Sequence, residues 1–216
     1  MWHTLHMYNP EPFAESRIEV LHAFIRQHPL AALVSNDSNG LEATHVPMFL
    51  DPQADPPGVL RCHLARANPQ WRMLESSPSV LAIFRGAQHY ITPSWYVSKK
   101  EHGKVVPTWN YVAVHVWGRA RLFEEQAGLL RHLKELTDRN ESAFAQPWSV
   151  DDAPKDYINA LSTAIIGVEI SIERIEGKWK ASQNRPAADR QGVVEGLETL
   201  GAPQSLEMAT IVRSRR

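Results

Sequence analysis

Two aromatic-rich segments concentrate the groups from which a ligand site can be built. Thr92-Pro93-Ser94-Trp95-Tyr96 and Pro107-Thr108-Trp109-Asn110-Tyr111 each combine a proline, a hydroxyl residue and two rings within five residues. Flat apolar rings beside hydroxyl, amide and indole donors suit a planar heteroaromatic ligand or a partner subunit. The same rings also suit a packed core or a dimer contact. Two basic segments accompany them. In His63-Leu64-Ala65-Arg66-Ala67-Asn68-Pro69, Arg66 stands just before a predicted helix start, where backbone N–H groups and a guanidinium hold phosphate well. Lys178-Trp179-Lys180-Ala181-Ser182-Gln183-Asn184-Arg185-Pro186 gathers three cations, a hydroxyl and two amides after a predicted strand. A solvated loop and helix cap explains that composition too.

Other chemistries find less support. The chain has 10 histidines, but the one close pair is His3-x-x-His6, near the terminus, and no H-E-x-x-H or paired-cysteine motif is present. His45, His63 and His115 each fall on a predicted strand, and scattered hydrogen-bonded histidines account for them better than a metal site does. No G-x-S-x-G, G-x-G-x-x-G or P-loop sequence occurs, which argues against a hydrolase elbow and the common nucleotide-binding loops. Cys62 has apolar neighbours in mid-strand and reads as packing. For DNA, no helix-turn-helix stands out, and Arg213-Ser214-Arg215-Arg216 is a short basic tail.

The elements that position these residues are mostly short strands. Ile18, Leu21, Phe24 and Ile25 recur at helical spacing before His28-Pro29. Leu30–Val34 predicts a strand, Asn36–Gly40 a hairpin turn, and Leu41–Leu50 a partner strand interrupted by Pro47. Val59–Ala65 predicts the next strand, followed by a short helix that Pro69 opens and Asn68 caps. Val80–Phe84 predicts a buried strand, and residues 112–122 alternate as a long one. A helix is predicted from Glu124 to about Arg139, a brief one near Lys155–Leu161, and a strand over Ile166–Ile172. The last forty residues read as helical but weakly packed, because Gly192, Gly196 and Gly201 interrupt them. Short strands joined by hairpins, with helices outside, predict a mainly-β α+β fold built on an antiparallel barrel.

The 216 residues are 43% hydrophobic and 22% charged, which excludes disordered and fibrous classes. Lys and Arg number 23 against 24 Asp and Glu, so the whole surface is not built to neutralise phosphates. One cysteine allows no intrachain disulfide, and neither a signal peptide nor a membrane-spanning run is evident. A cytoplasmic protein is expected.

The order of motifs resembles the PaiB family, described as FMN-binding negative transcriptional regulators. The resemblance rests on Thr44-His45-Val46-Pro47, His63–Trp71, Tyr90–Tyr96, Val106–Tyr111 and Lys180–Pro186, in that order, and spans about residues 1–195. It implies a split β-barrel of the pyridoxamine-phosphate-oxidase type over 1–195, a helical extension of the same domain over 196–216, and a homodimer with FMN at the subunit interface. By the same resemblance, His45, Val46 and Pro47 face the flavin ring, and His63, Arg66 and Asn68 lie near the ribityl phosphate. Trp95, Tyr96, Thr108, Asn110 and Tyr111 close the pocket, with Lys180, Gln183 and Asn184 contributed by the other subunit. Two further expectations compete with a repressor: an FMN-dependent oxidoreductase (an NAD(P)H:flavin reductase or small-molecule oxidase) and a haem-binding barrel using one of the strand histidines.

Overall fold

The computed structural model describes residues 7–54 and 57–215; His3, His6 and Arg216 lie outside the described residues. Alternating apolar runs form eight strands: β1 (Ala14–Glu15), β2 (Leu30–Asp37), β3 (Gly40–Pro47), β4 (Phe49–Asp51), β5 (Val59–Ala65), β6 (Ser79–Ile91), β7 (Thr108–Phe123) and β8 (Ile165–Lys180). Seven helices join them: α1 (Ile18–Gln27), α2 (Gln70–Ser76), α3 (Ser98–His102), α4 (Gln126–Glu141), α5 (Lys155–Ser162), α6 (Ala187–Leu200) and α7 (Pro203–Ser214). The strands form one sheet in the order β3-β2-β6-β7-β8-β5-β4, with β1 paired to β8. The antiparallel, mainly-β expectation holds.

The predicted hairpin is present. Asp37 pairs with Gly40, Gly40 adopts φ 119°, and the Asp37 carboxylate accepts from the Asn39 backbone N–H at 2.7 Å. Pro47 ends β3 and the chain resumes as β4 one residue later, as a proline without a ladder donor requires. The Asn68 side chain accepts from the Gln70 N–H at 2.9 Å and so starts α2.

Two strands are longer than their apolar runs. β6 continues to Ile91, and β8 carries Lys178 and Lys180 as strand residues with Trp179 buried between them. The loop reading of those lysines is therefore corrected: antiparallel pairing with β1, Ala14 opposite Lys178, extends the strand past its apolar segment.

The chain divides into two compact units. The first comprises residues up to 21, 85–114 and from 176 onward; the second comprises 22–84 and 115–175. In the second unit Leu33, Leu60, Leu64, Phe84, Ile166 and Ile170 are almost wholly buried, and Cys62 lies among the buried residues with its thiol pushed up to about 12 by burial. That thiol is packing.

In the first unit Ile91, Tyr96, Val193, Leu197, Met208 and Val212 share one core. The C-terminal helices are thus well packed, contrary to expectation, and the glycines are the reason. A Cβ on Gly192 would fall 2.0 Å from the Trp95 carbonyl oxygen, and one on Gly196 would fall 2.3 Å from the Trp95 ring. Their absence lets α6 lie directly on Trp95, and that contact outweighs the roughly 1 kcal/mol by which a helical glycine trails alanine. Residue 196 sits inside this helix. At the far end of α7, Arg215 joins Arg17 on the buried Glu15 carboxylate, each at 2.6 Å, and the Arg17 hydrogen bond leads in holding Glu15 down to about 2. Gly192→Ala is expected to destabilise the protein by about 1–3 kcal/mol, the scale of overpacking, whereas a surface helical glycine would gain about 1 kcal/mol from the same change. Urea unfolding midpoints of the two proteins check this.

Candidate functional site

In the second unit the His63–Trp71 motif bridges β5 and α2, and its polar side chains are already engaged. His63 Nδ1 lies 3.1 Å from Nε2 of His132 on α4, the rings meeting edge-on at 5.3 Å. His132 is 1% exposed. Burial lowers both histidines below their ordinary range, and His132, next to the charges of His63 and Arg61, falls to about 4. At neutral pH both rings are uncharged, so one N–H donates to the other. Arg66 Nε donates to the Thr163 carbonyl at 2.7 Å and its guanidinium pairs with Glu124 at 2.6 Å. Asn68 Nδ2 donates to Thr44 Oγ1 at 2.9 Å, and Trp71 Nε1 donates to the Arg66 carbonyl at 3.1 Å. Beside Arg66 lies a cleft of about 400 Å³, lined also by Glu124, Gln126, Asn159, Ser162 and Thr163. Along β3, His45 and Pro47 are exposed while Val46 is buried.

In the first unit the start of β7 meets the end of β8. Lys180 Nζ donates to Thr108 Oγ1 at 2.6 Å, and Asn110 Nδ2 donates to Ser182 Oγ at 2.9 Å. Ser182 holds φ +63°, the one non-glycine residue in the left-handed region among the described residues. Gln183 closes the turn by accepting from the Ala181 N–H at 2.7 Å and donating to the Trp179 carbonyl. Three cations share this corner. Lys178 is 6% exposed, donates to the Tyr8 carbonyl at 2.5 Å and faces the rings of Tyr8 and Tyr111 at 5.0 and 5.7 Å. Arg185 lies 4.9 Å from the Tyr96 ring. Burial first, then the charges of Lys178 and Arg185, lowers the Lys180 ammonium below its ordinary range. Among the described residues no ion pair engages Lys178, Lys180 or Arg185; Asp189 feels the Arg185 charge but bonds Ser98. The corner is a cationic cluster.

The aromatic residues divide. Tyr96 is buried in the core, Trp95 is half-buried under α6, and Trp109 is 52% exposed, edge-on to Tyr90 at 6.2 Å. Tyr111 is half-buried and Asn184 exposed.

The family described as "Putative FMN-binding domain" matches residues 7–174. The chain belongs to this family. FMN is the cofactor that membership assigns. Protease synthase and sporulation protein PAI 2 of Bacillus subtilis is 30% identical over 209 residues, 97% of this chain and 98% of that protein, which makes the family PaiB-like. An uncharacterized protein of Aspergillus fumigatus is 37% identical, with 97% of each chain covered. Among solved structures, a conserved hypothetical protein of Mycobacterium tuberculosis shares the fold with a TM-score of 0.57 at 14% identity, covering 83% of this chain and 94% of that one. The flavocytochrome Anf3 of Azotobacter vinelandii shares it with a TM-score of 0.55 at 15% identity, covering 77% and 69%.

The residues present fit the FMN family. One buried and one half-buried ammonium with no carboxylate on them among the described residues suit a dianionic phosphate, and half-exposed rings nearby suit a planar group. The fold brings together Thr108 with Lys180 and Asn110 beside Ser182, joining two motifs that the sequence separates by 72 residues. It joins Asn68 to Thr44, next to His45 in the chain. Of the three strand histidines, His45 stands on β3, His63 on β5 and His115 on β7; β3 and β5 approach one another without sharing a ladder, and His63 is held by His132. Among the described residues no three His, Cys, Asp or Glu side chains gather as a metal site. Among the described residues no helix is long and apolar enough to cross a membrane.

Sequence reasoning missed His132, Glu124 and Ser182. His132 lies within the predicted helix beside Leu133 and one turn from Leu129 and Leu136, and a histidine among leucines was the available signal. Neutral burial of the His63–His132 pair has a pH consequence. Their folded values lie below the unfolded 6.5, so the unfolded chain takes up protons first as pH falls, and stability is lost from about 6.5 down toward about 4. Denaturant midpoints at pH 7.5 and 5 are expected to differ by roughly 2 kcal/mol from His132, and the difference should shrink in His132→Gln.

Proposed function

We propose that the protein is a homodimeric flavoprotein that binds FMN and acts, in its flavin-loaded form, as a negative regulator of transcription. The observation that carries the flavin reading is the cationic cluster of Lys178, Lys180 and Arg185, which lacks a carboxylate partner among the described residues. Lys180 and Thr108 present a charge-assisted donor pair, with Gln183 and Asn184 on the adjoining turn and Trp109 and Tyr111 as flat apolar surface. In the second unit, His45 and Pro47 stand exposed on β3 on either side of the buried Val46, while His63, Arg66 and Asn68 stand at the junction of β5 and α2. Trp95, Tyr96 and Asn110 belong to the same unit as the cationic cluster.

FMN, when bound, supplies reversible hydride and electron chemistry. The chain's own residues bind and orient it. The regulatory half of the reading is supported by the similarity to the sporulation protein and by the family resemblance of the five motifs. A flavin reductase is the competing reading, and steady NAD(P)H consumption by the loaded protein would favour it.

Phosphate recognition separates FMN from riboflavin. Lys180→Ala is expected to weaken FMN about tenfold or more while changing riboflavin little, in titrations followed by tryptophan fluorescence. Arg66→Ala tests the second group in the same way. Glu124 already occupies that guanidinium, so a phosphate there must share it, and a selective FMN loss would assign Arg66 to the ligand. Equal losses for both flavins would remove the tested residue from phosphate binding.

A further inference from the structure

We infer that the segment from Val97 to Val106 is a docking surface for nucleic acid. The inference deepens the regulatory reading and rests on it for its biological meaning; the binding itself is tested separately from flavin.

Charge is distributed unevenly along this nearly neutral chain. The first unit carries 12 Lys and Arg against 9 Asp and Glu, the second 11 against 15, which together make the 23 and 24 of the whole. Much of the first unit's positive charge is internal. Arg213 pairs with Glu198 and Arg215 with Glu15, so these two cations of the basic C-terminal tail are occupied. Lys99, Lys100 and Lys104 differ. All three are exposed, none forms an ion pair among the described residues, and Glu101 is the single acid in the segment. Lys99 reaches only the Ser94 hydroxyl, at 3.1 Å.

The platform beneath them is firm. The buried Asp189 carboxylate accepts from the Ser98 backbone N–H at 2.9 Å and from its hydroxyl at 2.6 Å, which pins the start of α3 to α6. Gly103, in the left-handed conformation, ends α3 and turns the chain toward Lys104. Exposed apolar groups accompany the cations: Val97 at 44% and Val106 at 64%, and in the same unit the Tyr90 ring is 45% exposed. Cations on an outward-facing segment, with an accessible ring in the same unit that the flavin reading does not use, match the combination that neutralises phosphates and stacks bases. A small anion would be gripped in an enclosed site, and the cleft and cavities lined by Arg66, His132 or Lys134 involve none of these residues. An anionic membrane would call for bulkier aliphatic side chains than two valines.

The test uses the full-length FMN-loaded protein and fluorescence anisotropy with a labelled single strand of about 30 nucleotides, its duplex, and anionic phosphatidylserine vesicles. Binding to nucleic acid is expected to weaken between about 50 and 200 mM salt with a log–log slope near −2 to −3, as about three phosphate contacts require. The triple variant Lys99→Glu, Lys100→Glu, Lys104→Glu should weaken it at least about tenfold at about 100 mM salt, and the triple change to Arg should retain it. FMN affinity of both variants should match the parent. Absence of salt-dependent binding, unchanged binding by the Glu variant, or binding to vesicles in place of nucleic acid overturns the docking surface and leaves the flavin reading intact. Failure of the parent to bind FMN overturns the flavin reading instead, whatever the nucleic-acid result.

Discussion

The hydrogen bond from Asn110 to Ser182 holds the end of β8 in a backbone conformation that a serine rarely adopts. Both residues are buried, so the amide and the hydroxyl satisfy each other where water cannot. Because Ser182 turns the chain at that point, Lys180 ends its strand against Thr108, Gln183 folds back over Trp179, and Arg185 returns toward the Tyr96 ring. Three cations are thereby gathered in a small volume. Rings and a carbonyl stabilise them, while a carboxylate would have neutralised them. The cationic cluster is a consequence of this one junction.

The second unit follows the opposite logic. Its basic motif is saturated from within: Arg66 by Glu124 and Thr163, Asn68 by Thr44 and Gln70, His63 by His132. Such a junction is rigid, because each buried or half-buried polar group loses a partner if the neighbouring element moves. Nearby, Arg61 sits among Asp51, Glu135 and Glu169, and Arg121 shares Glu169. The cavity of about 160 Å³ beside them is lined by arginines and glutamates together, so it has no strong bias toward an anion. Motif residues of similar composition are thus tied to protein partners in one unit and left without a carboxylate partner among the described residues in the other.

Electrostatics also distinguishes the cations of the first unit from one another. Arg17 and Arg215 fix Glu15, Arg213 meets Glu198, and Lys178 and Lys180 are drawn inward. The lysines of α3 and the loop after it stand out in solvent on a segment braced by Asp189. The near-zero net charge conceals that separation.

Local patterns in the sequence determined the hairpin at Asn36–Gly40, the start of α2 at Pro69, the alternation of β7 and, through five motifs in order, membership in the FMN-binding family. Each depends on a few neighbouring residues whose backbone preferences or side-chain periods are self-contained. Contacts distant in sequence were decided by the tertiary structure alone. Nothing local to His63 names His132, 69 residues away, and nothing local to Arg66 names Glu124. Gly192 and Gly196 read as breaks in a helix until Trp95, nearly a hundred residues earlier, was found against them. Lys178 and Lys180 read as loop residues until the pairing of β1 with β8 extended the strand. Propensity is a property of a segment, whereas close approach, ion pairing and burial belong to pairs of segments that meet only when the sheet assembles.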